Sequence, residues 1–207
     1  LKFTDYKHAF THGSIINPGN IQRKNYSNIS ELKTDRSNIS YSMSEEEIKR
    51  RARIIGLGAV RYADLSQDRT LDYVFSWDKL LALQGNTAPY LQYAVARIHS
   101  ILRKLHQKSS AVRNAEIAPQ TDAEISLARK ILFFPLAIEQ TTKELKPHTL
   151  CVYLYELATE FSSFYNQEKV MVEDQKVQDL RLFLCAKTLI ILEIGLNVLG
   201  IQILEEM

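Results

Sequence analysis

The chain has 207 residues, of which 45% are hydrophobic and 24% are charged, and its formal net charge is +2. A chain of this length can bury a sizeable core as one large or two small domains, and its composition is that of a soluble globular protein. Two cysteines exclude a disulfide framework and a cysteine-only metal site, so we expect reduced, buried thiols in a cytoplasmic protein without a cofactor.

The two parts of the chain differ in charge. Residues 1–120 hold 18 Lys and Arg against 11 Asp and Glu, whereas residues 121–207 hold 8 against 13. A polyanion should therefore approach the first part of the chain. The basic excess is too small to predict tight non-specific binding of nucleic acid.

Residues 1–43 are rich in Asn, Ser and Thr, with isolated aromatic residues. This composition predicts a flexible arm or linker, and it has no signal-peptide pattern. His8 and His12 lie four residues apart there, but no carboxylate pattern surrounds them, so we predict no metal site. Because the chain begins at Leu1 rather than Met, the sequence leaves open whether residues precede it.

Helical signals begin at Ser44. Ser44 and Glu47 have the spacing of a capping box, in which the two side chains bond amides at the start of a helix. We expect Gly56 and Gly58 to break this helix, because glycine is a poor helix former. The next residues predict three short pieces, which are a helix over 59–65, an extended stretch over 71–75 and a helical turn that starts at 76–79 and runs to a turn at Gln84-Gly85.

The segment 85–104 has a clear helical pattern. Thr87 is a candidate N-cap, whose hydroxyl can accept a bond from an amide of the first turn. Pro89 follows just inside the helix, where its missing N–H costs little. Apolar residues recur at spacings of three and four and predict a face that packs into a core: Leu91, Val95, Ile98 and Leu102.

A second face of the same segment combines aromatic rings with cations: Tyr90, Tyr93, Arg97 and Lys104. Rings that stack on bases and cations that meet phosphates would make this face a platform for RNA. The alternative is that the tyrosines are half-buried packing residues and the cations are a solvated edge. Spacing alone favours the second interpretation.

The rest of the chain predicts further amphipathic helices. Thr121 and Glu124 form a second capping box, Pro135 kinks or restarts the helix that follows, and Pro147 opens the next one. Loops or linkers are expected over 108–120 and 167–172, and helices over 121–145, 147–165 and 173–199. The sequence predicts an all-α helical bundle. Its domain is expected over 44–207, divided into a leading segment 44–84 and a main bundle 85–207.

The helix over 147–165 ends in an aromatic group. Phe164 and Tyr165 follow Phe161 by three and four residues, so all three can share one face, and Tyr165 offers a hydroxyl as well as a ring. Spacing leaves open whether all three belong to the core. Met207 is equally ambiguous, because it is either a frayed end or a flexible thioether that adapts to a base face.

No arrangement of residues predicts catalysis. The seven glycines are scattered and form no phosphate-binding loop, and the five histidines have no partners at metal-ligand spacing. The most apolar stretch, 182–204, is interrupted by Lys187, Glu193, Asn197 and Gln202, so we expect no membrane span.

Several ordered runs closely resemble the C-terminal half of arginyl-tRNA synthetases. The resemblance covers roughly residues 45–207. The runs that show it are Gly58–Ser66, Tyr73–Leu81, Gly85–Ile98 and Leu154–Ala158, followed by Phe161-Ser162, Phe164-Tyr165, Leu199-Gly200-Ile201 and a final Met.

This resemblance implies an all-α anticodon-binding domain of the DALR type, preceded by the end of a catalytic domain. In the family this domain holds the anticodon stem and loop of tRNA-Arg. The resemblance also implies that Tyr90 or Tyr93, together with Tyr165 and Met207, lies near the anticodon bases. The cations that would then meet phosphates are Arg97, Arg103 and Lys104.

The sequence departs from the family in three respects. It lacks the ATP-binding signatures of a class I synthetase, and residues 1–43 show no recognisable counterpart in the family. The Asp-Ala-Leu-Arg quartet that names the domain is also absent, and residues 185–189 stand in its place. Any contact made by the polar ends of the quartet is therefore in doubt.

Three functions are consistent with these patterns. The first is a stand-alone relative that binds tRNA-Arg and presents it to a partner enzyme acting on tRNA. The second is the C-terminal part of an arginine–tRNA ligase whose ATP and arginine chemistry lie upstream. The third is a protein-interaction module that has kept the bundle and lost its affinity for RNA.

Overall fold

The computed structural model describes residues 43–72, 76–105 and 114–207. These residues form seven helices and no strand, which confirms the all-α prediction. The bundle is the compact unit Lys49–Met207, and the unit before it ends at Ile48. The helices are α1 (Glu45–Leu65), α2 (Trp77–Leu80), α3 (Ala88–Lys104), α4 (Asp122–Leu132), α5 (Phe134–Glu144), α6 (Pro147–Gln167) and α7 (Gln175–Val198).

Helix α3 packs against α6 and α7. Its start is as predicted, because the hydroxyl of Thr87 accepts a 3.3 Å hydrogen bond from the amide of Tyr90 and Pro89 stands in the first turn. Burial of an apolar side chain stabilises the fold by roughly 1.5–3 kcal/mol, so the buried face fixes the rotation of this helix. The residues of that face are the predicted ones, Leu91, Val95, Ile98 and Leu102.

Helix α1 runs unbroken over Glu45–Leu65, so the predicted break at Gly56 and Gly58 is wrong. A glycine inside a helix costs about 1 kcal/mol relative to alanine, which packing can outweigh. A Cβ atom added at Gly58 would lie 3.0 Å from Nε2 of Gln92 and 3.2 Å from Cγ2 of Ile201. The glycine therefore lets α1 lie close to α3 and to the residues that follow α7.

The later helices begin where the sequence signals place them. Thr121 and Glu124 make both bonds of the capping box at the start of α4. Pro135 stands in the first turn of α5, so it restarts the helix rather than kinking it. Helix α6 begins at Pro147, and Gly200, with φ of +68°, follows the end of α7.

A buried ion pair that the sequence patterns did not indicate joins α4 to α7. Nε of Arg181 donates to Oε1 of Glu124 at 2.8 Å, and Nη2 of Arg181 donates to Glu168 at 2.6 Å. The amides of Gln120 and Thr121 donate to the other oxygen of Glu124. Burial alone would raise the pKa of Glu124, but these amides and the guanidinium outweigh it and hold the pKa below its ordinary value of 4.5.

Some predictions fall outside the described residues. They are the arm up to residue 42, with His8 and His12, residues 73–75 of the predicted extended stretch, and residues 108–113 of the predicted linker. Within the described part of the chain, no helix is long and apolar enough to cross a membrane.

Candidate nucleic-acid interface

Three of the predicted site residues meet where α3 passes the end of α6. The guanidinium carbon of Arg97 lies 4.7 Å from the ring centre of Tyr93 and 5.4 Å from that of Tyr165. Nη2 of Arg97 also donates a 2.8 Å hydrogen bond to the hydroxyl of Tyr93, one turn earlier in α3. We call Tyr93, Arg97 and Tyr165 the tyrosine–arginine cluster.

The cluster has the physical properties of a platform for unpaired bases. A guanidinium within about 6 Å of a ring centre is attracted by the ring's negative face, so both tyrosines attract Arg97. Tyr93 is 39% exposed, and a planar guanidinium can stack on a base while its edge donates to a phosphate. One surface therefore combines stacking faces with a fixed positive charge.

Tyr90 is placed differently from Tyr93. Its hydroxyl lies 3.2 Å from Oγ of Ser162 and 3.4 Å from the carbonyl oxygen of Ala158, both on α6. Its half-buried ring meets Tyr155 edge to face, with 5.7 Å between ring centres. Tyr90 thus joins α3 to α6, and Tyr93 is the member of the pair that is exposed.

The aromatic group at the end of α6 divides between core and surface. Phe161 and Phe164 are fully buried, whereas Tyr165 is half-buried. The ring of Phe161 stacks on that of Tyr165 with 6.0 Å between centres, so the core supports the surface tyrosine. Met207, at the end of the chain as given, is half-buried.

The two cations at the end of α3 have different surroundings. Lys104 is exposed, and its ammonium group makes no hydrogen bond or ion pair with another described residue. Nη1 of Arg103 donates to the carbonyl oxygen of Glu205 at 3.1 Å, and Nη2 lies 3.4 Å from the carboxylate of Glu206. Arg103, which was predicted to meet a phosphate, is bound to the chain's own last residues.

Two further residues that contact the end of the chain were not indicated by any pattern in the sequence. Nε2 of Gln92 donates to the carbonyl oxygen of Gln202 at 2.7 Å, and Nη1 of Arg51 donates to that of Glu206 at 3.1 Å. These pairs are 110 and 155 positions apart in the chain. Only the fold brings them together, so no local pattern could have indicated them.

The described residues include no candidate metal centre, and both of their thiols are buried. No set of three or more His, Cys, Asp or Glu side chains among them is placed to hold a metal ion. The two cysteines, Cys151 and Cys185, are free and buried as predicted, and burial raises each thiol's pKa to about 12. Both are therefore protonated at neutral pH and are poor nucleophiles.

The sequence matches two family models. The model described as "DALR anticodon binding domain" matches residues 91–207, and the model described as "tRNA synthetases class I (R), catalytic domain" matches residues 22–77. The first match confirms the predicted domain type although the quartet is replaced at 185–189. The second corrects the expectation that residues 1–43 have no counterpart, because the match begins at residue 22.

Curated relatives cover most of this chain but are much longer. An arginine–tRNA ligase of Klebsiella pneumoniae is 42% identical over 166 residues, which are 80% of this chain and 29% of that relative. An arginine–tRNA ligase of Haemophilus influenzae is 46% identical over 167 residues, which are again 80% of this chain and 29% of that relative. The chain thus spans less than a third of the length of these relatives.

Solved structures agree with the sequence matches. Arginyl-tRNA synthetase from Plasmodium falciparum superposes with a TM-score of 0.71 at 33% identity, over 78% of this chain and 28% of that one. The enzyme from Thermus thermophilus also superposes with a TM-score of 0.71. It is 32% identical, and the match covers 77% of this chain and 28% of that one. The predicted resemblance to arginyl-tRNA synthetases is confirmed in both sequence and fold.

Proposed function

We propose that this chain, which belongs to the DALR anticodon-binding domain family, binds the anticodon stem-loop of tRNA-Arg. The observation that supports this most directly is that the Arg97 guanidinium lies over the rings of both Tyr93 and Tyr165. Sequence-specific proteins commonly recognise RNA through unstacked loop bases placed on aromatic rings or guanidinium planes. The cluster offers both on one surface.

In the proposed complex, recognition involves no chemical step. One loop base stacks on the exposed ring of Tyr93, another lies against the Arg97 guanidinium beside Tyr165, and Lys104 approaches the backbone phosphates. Met207 adds a flexible contact, because a thioether adapts to the face of a base. Core residues behind the cluster, such as Phe161, hold the platform rigid, which lowers the entropy lost on binding.

The first test is the binding of labelled tRNA-Arg and of a non-cognate tRNA in low salt. We expect the cognate tRNA to bind more tightly. If the chain binds neither tRNA, the proposal is wrong and the protein-interaction module is favoured. The exposed apolar residues at the α4–α5 junction, Leu132, Phe133 and Leu136, would then be the surface to examine first.

The second test separates stacking from charge at Arg97. Arg97→Ala should weaken binding by about 1–3 kcal/mol, the typical value of one stacked base. Arg97→Lys keeps the charge but not the planar group, so it should lose most of the same energy. Lys130→Ala is the matched control, because Lys130 also lies over a tyrosine ring but on α4, and it should leave affinity unchanged.

A second candidate function is supported by the length and matches of the relatives. The chain would be the C-terminal part of a cytoplasmic arginine–tRNA ligase, which attaches arginine to tRNA-Arg using ATP. The match of a catalytic-domain model to residues 22–77 favours it. The open reading frame upstream of Leu1 tests it, since class I signatures there are expected on this hypothesis. A partner enzyme that acts on tRNA gains no support from the relatives.

A further inference from the structure

The residues after α7 form a tail, 201–207, without helix or strand. Ile201 and Leu204 are buried, and side chains of α1 and α3 bond carbonyl oxygens in or next to the tail. These bonds run from Arg61 to Gly200, from Gln92 to Gln202, from Arg103 to Glu205 and from Arg51 to Glu206. The backbone of an irregular segment is thus held by two helices.

Two of these arginines also share one carboxylate. Nη2 of Arg51 lies 3.8 Å from one oxygen of Glu206, and Nη2 of Arg103 lies 3.4 Å from the other. Among the described residues, each arginine therefore contacts both a backbone carbonyl of the tail and this side chain. We call Arg51, Arg103 and Glu206 the tail clamp. The adjacent Glu205 side chain makes no hydrogen bond or ion pair with the described residues, although its carbonyl accepts from Arg103.

Helix geometry separates Arg103 from the tyrosine–arginine cluster. An α-helix turns about 100° per residue, so Arg103 lies about 120° around α3 from Arg97. Lys104, seven residues after Arg97, lies within about 20° of it and about 10 Å further along the helix. The exposed face of α3 thus runs from Tyr93 through Arg97 to Lys104, and Arg103 lies on another side.

We infer that Arg51 and Arg103 are positioning residues that hold the tail against α1 and α3, and that Lys104 is the cation at the end of α3 that meets RNA phosphate. This inference rests on the proposed tRNA binding. It divides two adjacent cations between two roles, which their order in the sequence does not distinguish. The alternative is competition, in which the Glu206 carboxylate and an RNA phosphate bind the same arginines, so that Glu206 weakens RNA binding.

The first experiment measures the clamp in the free 207-residue protein. Amide hydrogen exchange over residues 201–207 should be about two- to fivefold faster in Arg103→Ala and in Glu206→Gln, the effect expected from an exposed ion pair with added backbone contacts. Glu205→Gln is the control, because it removes the neighbouring charge and no side-chain contact. Unchanged exchange in both clamp variants would show that the clamp does not hold the tail.

The second experiment measures affinity for a synthetic anticodon stem-loop of tRNA-Arg against salt concentration. Arg103→Ala and Glu206→Gln should each weaken binding about two- to fivefold, and the double variant should lose no more than either single one. Neither should change the salt dependence. Lys104→Ala should reduce the slope of log K against log salt by about 0.7–1, the loss of one phosphate contact.

The sign of the Glu206→Gln effect decides between positioning and competition. Tighter RNA binding in Glu206→Gln, with a smaller salt slope in Arg103→Ala, would overturn the inference and assign Arg103 to a phosphate. The exchange experiment needs no RNA, so it tests the clamp even if tRNA binding fails. Absence of wild-type binding with a working clamp would refute the proposed function alone.

Discussion

Tyr90 and Tyr93 lie three residues apart on α3, yet their surroundings assign them different tasks. The hydroxyl of Tyr90 bonds α6 through Ser162, and its ring packs on Tyr155. The hydroxyl of Tyr93 instead accepts a bond from Arg97 at the surface. Family resemblance allowed either tyrosine to lie beside the bases. The contacts favour Tyr93, because the hydrogen-bonding group of Tyr90 is already used inside the bundle.

We therefore predict opposite outcomes for substitutions at the two tyrosines. Tyr90→Phe should lower the free energy of unfolding by about 1 kcal/mol, the net value of a hydrogen bond, and leave RNA affinity unchanged. Tyr93→Ala should weaken binding to the anticodon stem-loop about fivefold or more and change stability by less than about 0.5 kcal/mol. Urea unfolding and fluorescence anisotropy measure the two quantities. A loss of affinity in Tyr90→Phe with full stability would reverse the assignment.

Glycines inside helices show how packing can outweigh local preference. In α1 the sequence predicts a break that the structure does not have, because Gly58 allows close contact with Gln92 and Ile201. Helix α7 contains the same feature, since a Cβ atom added at Gly195 would lie 2.5 Å from a methyl carbon of Leu154. Gly56 has no described atom within 4 Å of the added Cβ position. Of these three glycines, only Gly56 has room for the methyl group of alanine.

Replacement by alanine should consequently change stability in opposite directions at Gly56 and at Gly195. Gly56→Ala should raise the free energy of unfolding by about 0.5–1 kcal/mol, because alanine is the better helix former. Gly195→Ala should lower it by about 1–3 kcal/mol, since the buried side chain of Leu154 must move out of a packed core. Denaturant unfolding of the two variants beside the wild type gives both signs. Equal stabilisation by both would mean that α6 and α7 are not in close contact at Gly195.

The ion pair between Arg181 and Glu124 links three separate parts of the bundle. It joins the start of α4 and the second turn of α7, and Arg181 also bonds the carbonyl of Lys169 in the loop after α6. Breaking one member of a buried pair is costly because it leaves the other charge unpaired. The remaining bond from Arg181 to Glu168 reduces that cost here. The network therefore ties the elements around the aromatic end of α6.

We expect Glu124→Gln to remove a pH-dependent part of the stability. The pKa of Glu124 in the folded protein lies below its ordinary value of 4.5, so the folded state binds fewer protons than the unfolded state does near that pH. Its contribution is complete above about pH 5 and is lost as the pH falls from 4.5 towards the folded pKa. At pH 7 the variant should be about 1–3 kcal/mol less stable than the wild type.

The difference in free energy of unfolding between the wild type and Glu124→Gln should become smaller as the pH falls below 4.5. Urea unfolding at pH 7 and at several acidic pH values measures it. Glu139→Gln, at an exposed position on α5, is the control and should change stability by less than about 0.5 kcal/mol at every pH. A difference that is constant or grows in acid would contradict the assigned direction of the pKa.

Local signals predicted the elements better than they predicted the site. Thr87, Thr121 and Pro147 mark helix starts correctly, because a cap or a first-turn proline depends on residues within one turn. The cluster of Arg97 and Tyr165 depends on contacts between α3 and α6. Helical spacing could place Tyr93 and Arg97 on one face, and the resemblance could name Tyr165, but no spacing within one helix could place Tyr165 beside Arg97.

The contacts of Arg103 with the tail could not be predicted either, because they too join distant parts of the chain. Its partners, Glu205 and Glu206, lie about a hundred positions later in the chain. Charge at the end of α3 suggested that both Arg103 and Lys104 face RNA. The tail neutralises the first and leaves the second exposed, so counting basic residues overestimates the positive surface.

The charge of the protein as a whole predicts a modest electrostatic contribution to the proposed RNA binding. The net charge is +2, and residues 121–207 carry a net negative charge, with 8 Lys and Arg against 13 Asp and Glu. On the exposed face of α3, the described cations are Arg97 and Lys104, and Arg97 is partly occupied by two rings. Binding should depend more on stacking than on counterion release.

We predict that log K for the anticodon stem-loop falls with log salt with a slope between about −1.4 and −1.8, the value for two phosphate contacts. Affinity at physiological salt should then be only severalfold below that at low salt, because stacking is not screened. Titrations at four or more salt concentrations give the slope. One steeper than about −3 would mean that cations beyond the described face of α3, such as those of the residues up to 42, bind the RNA as well.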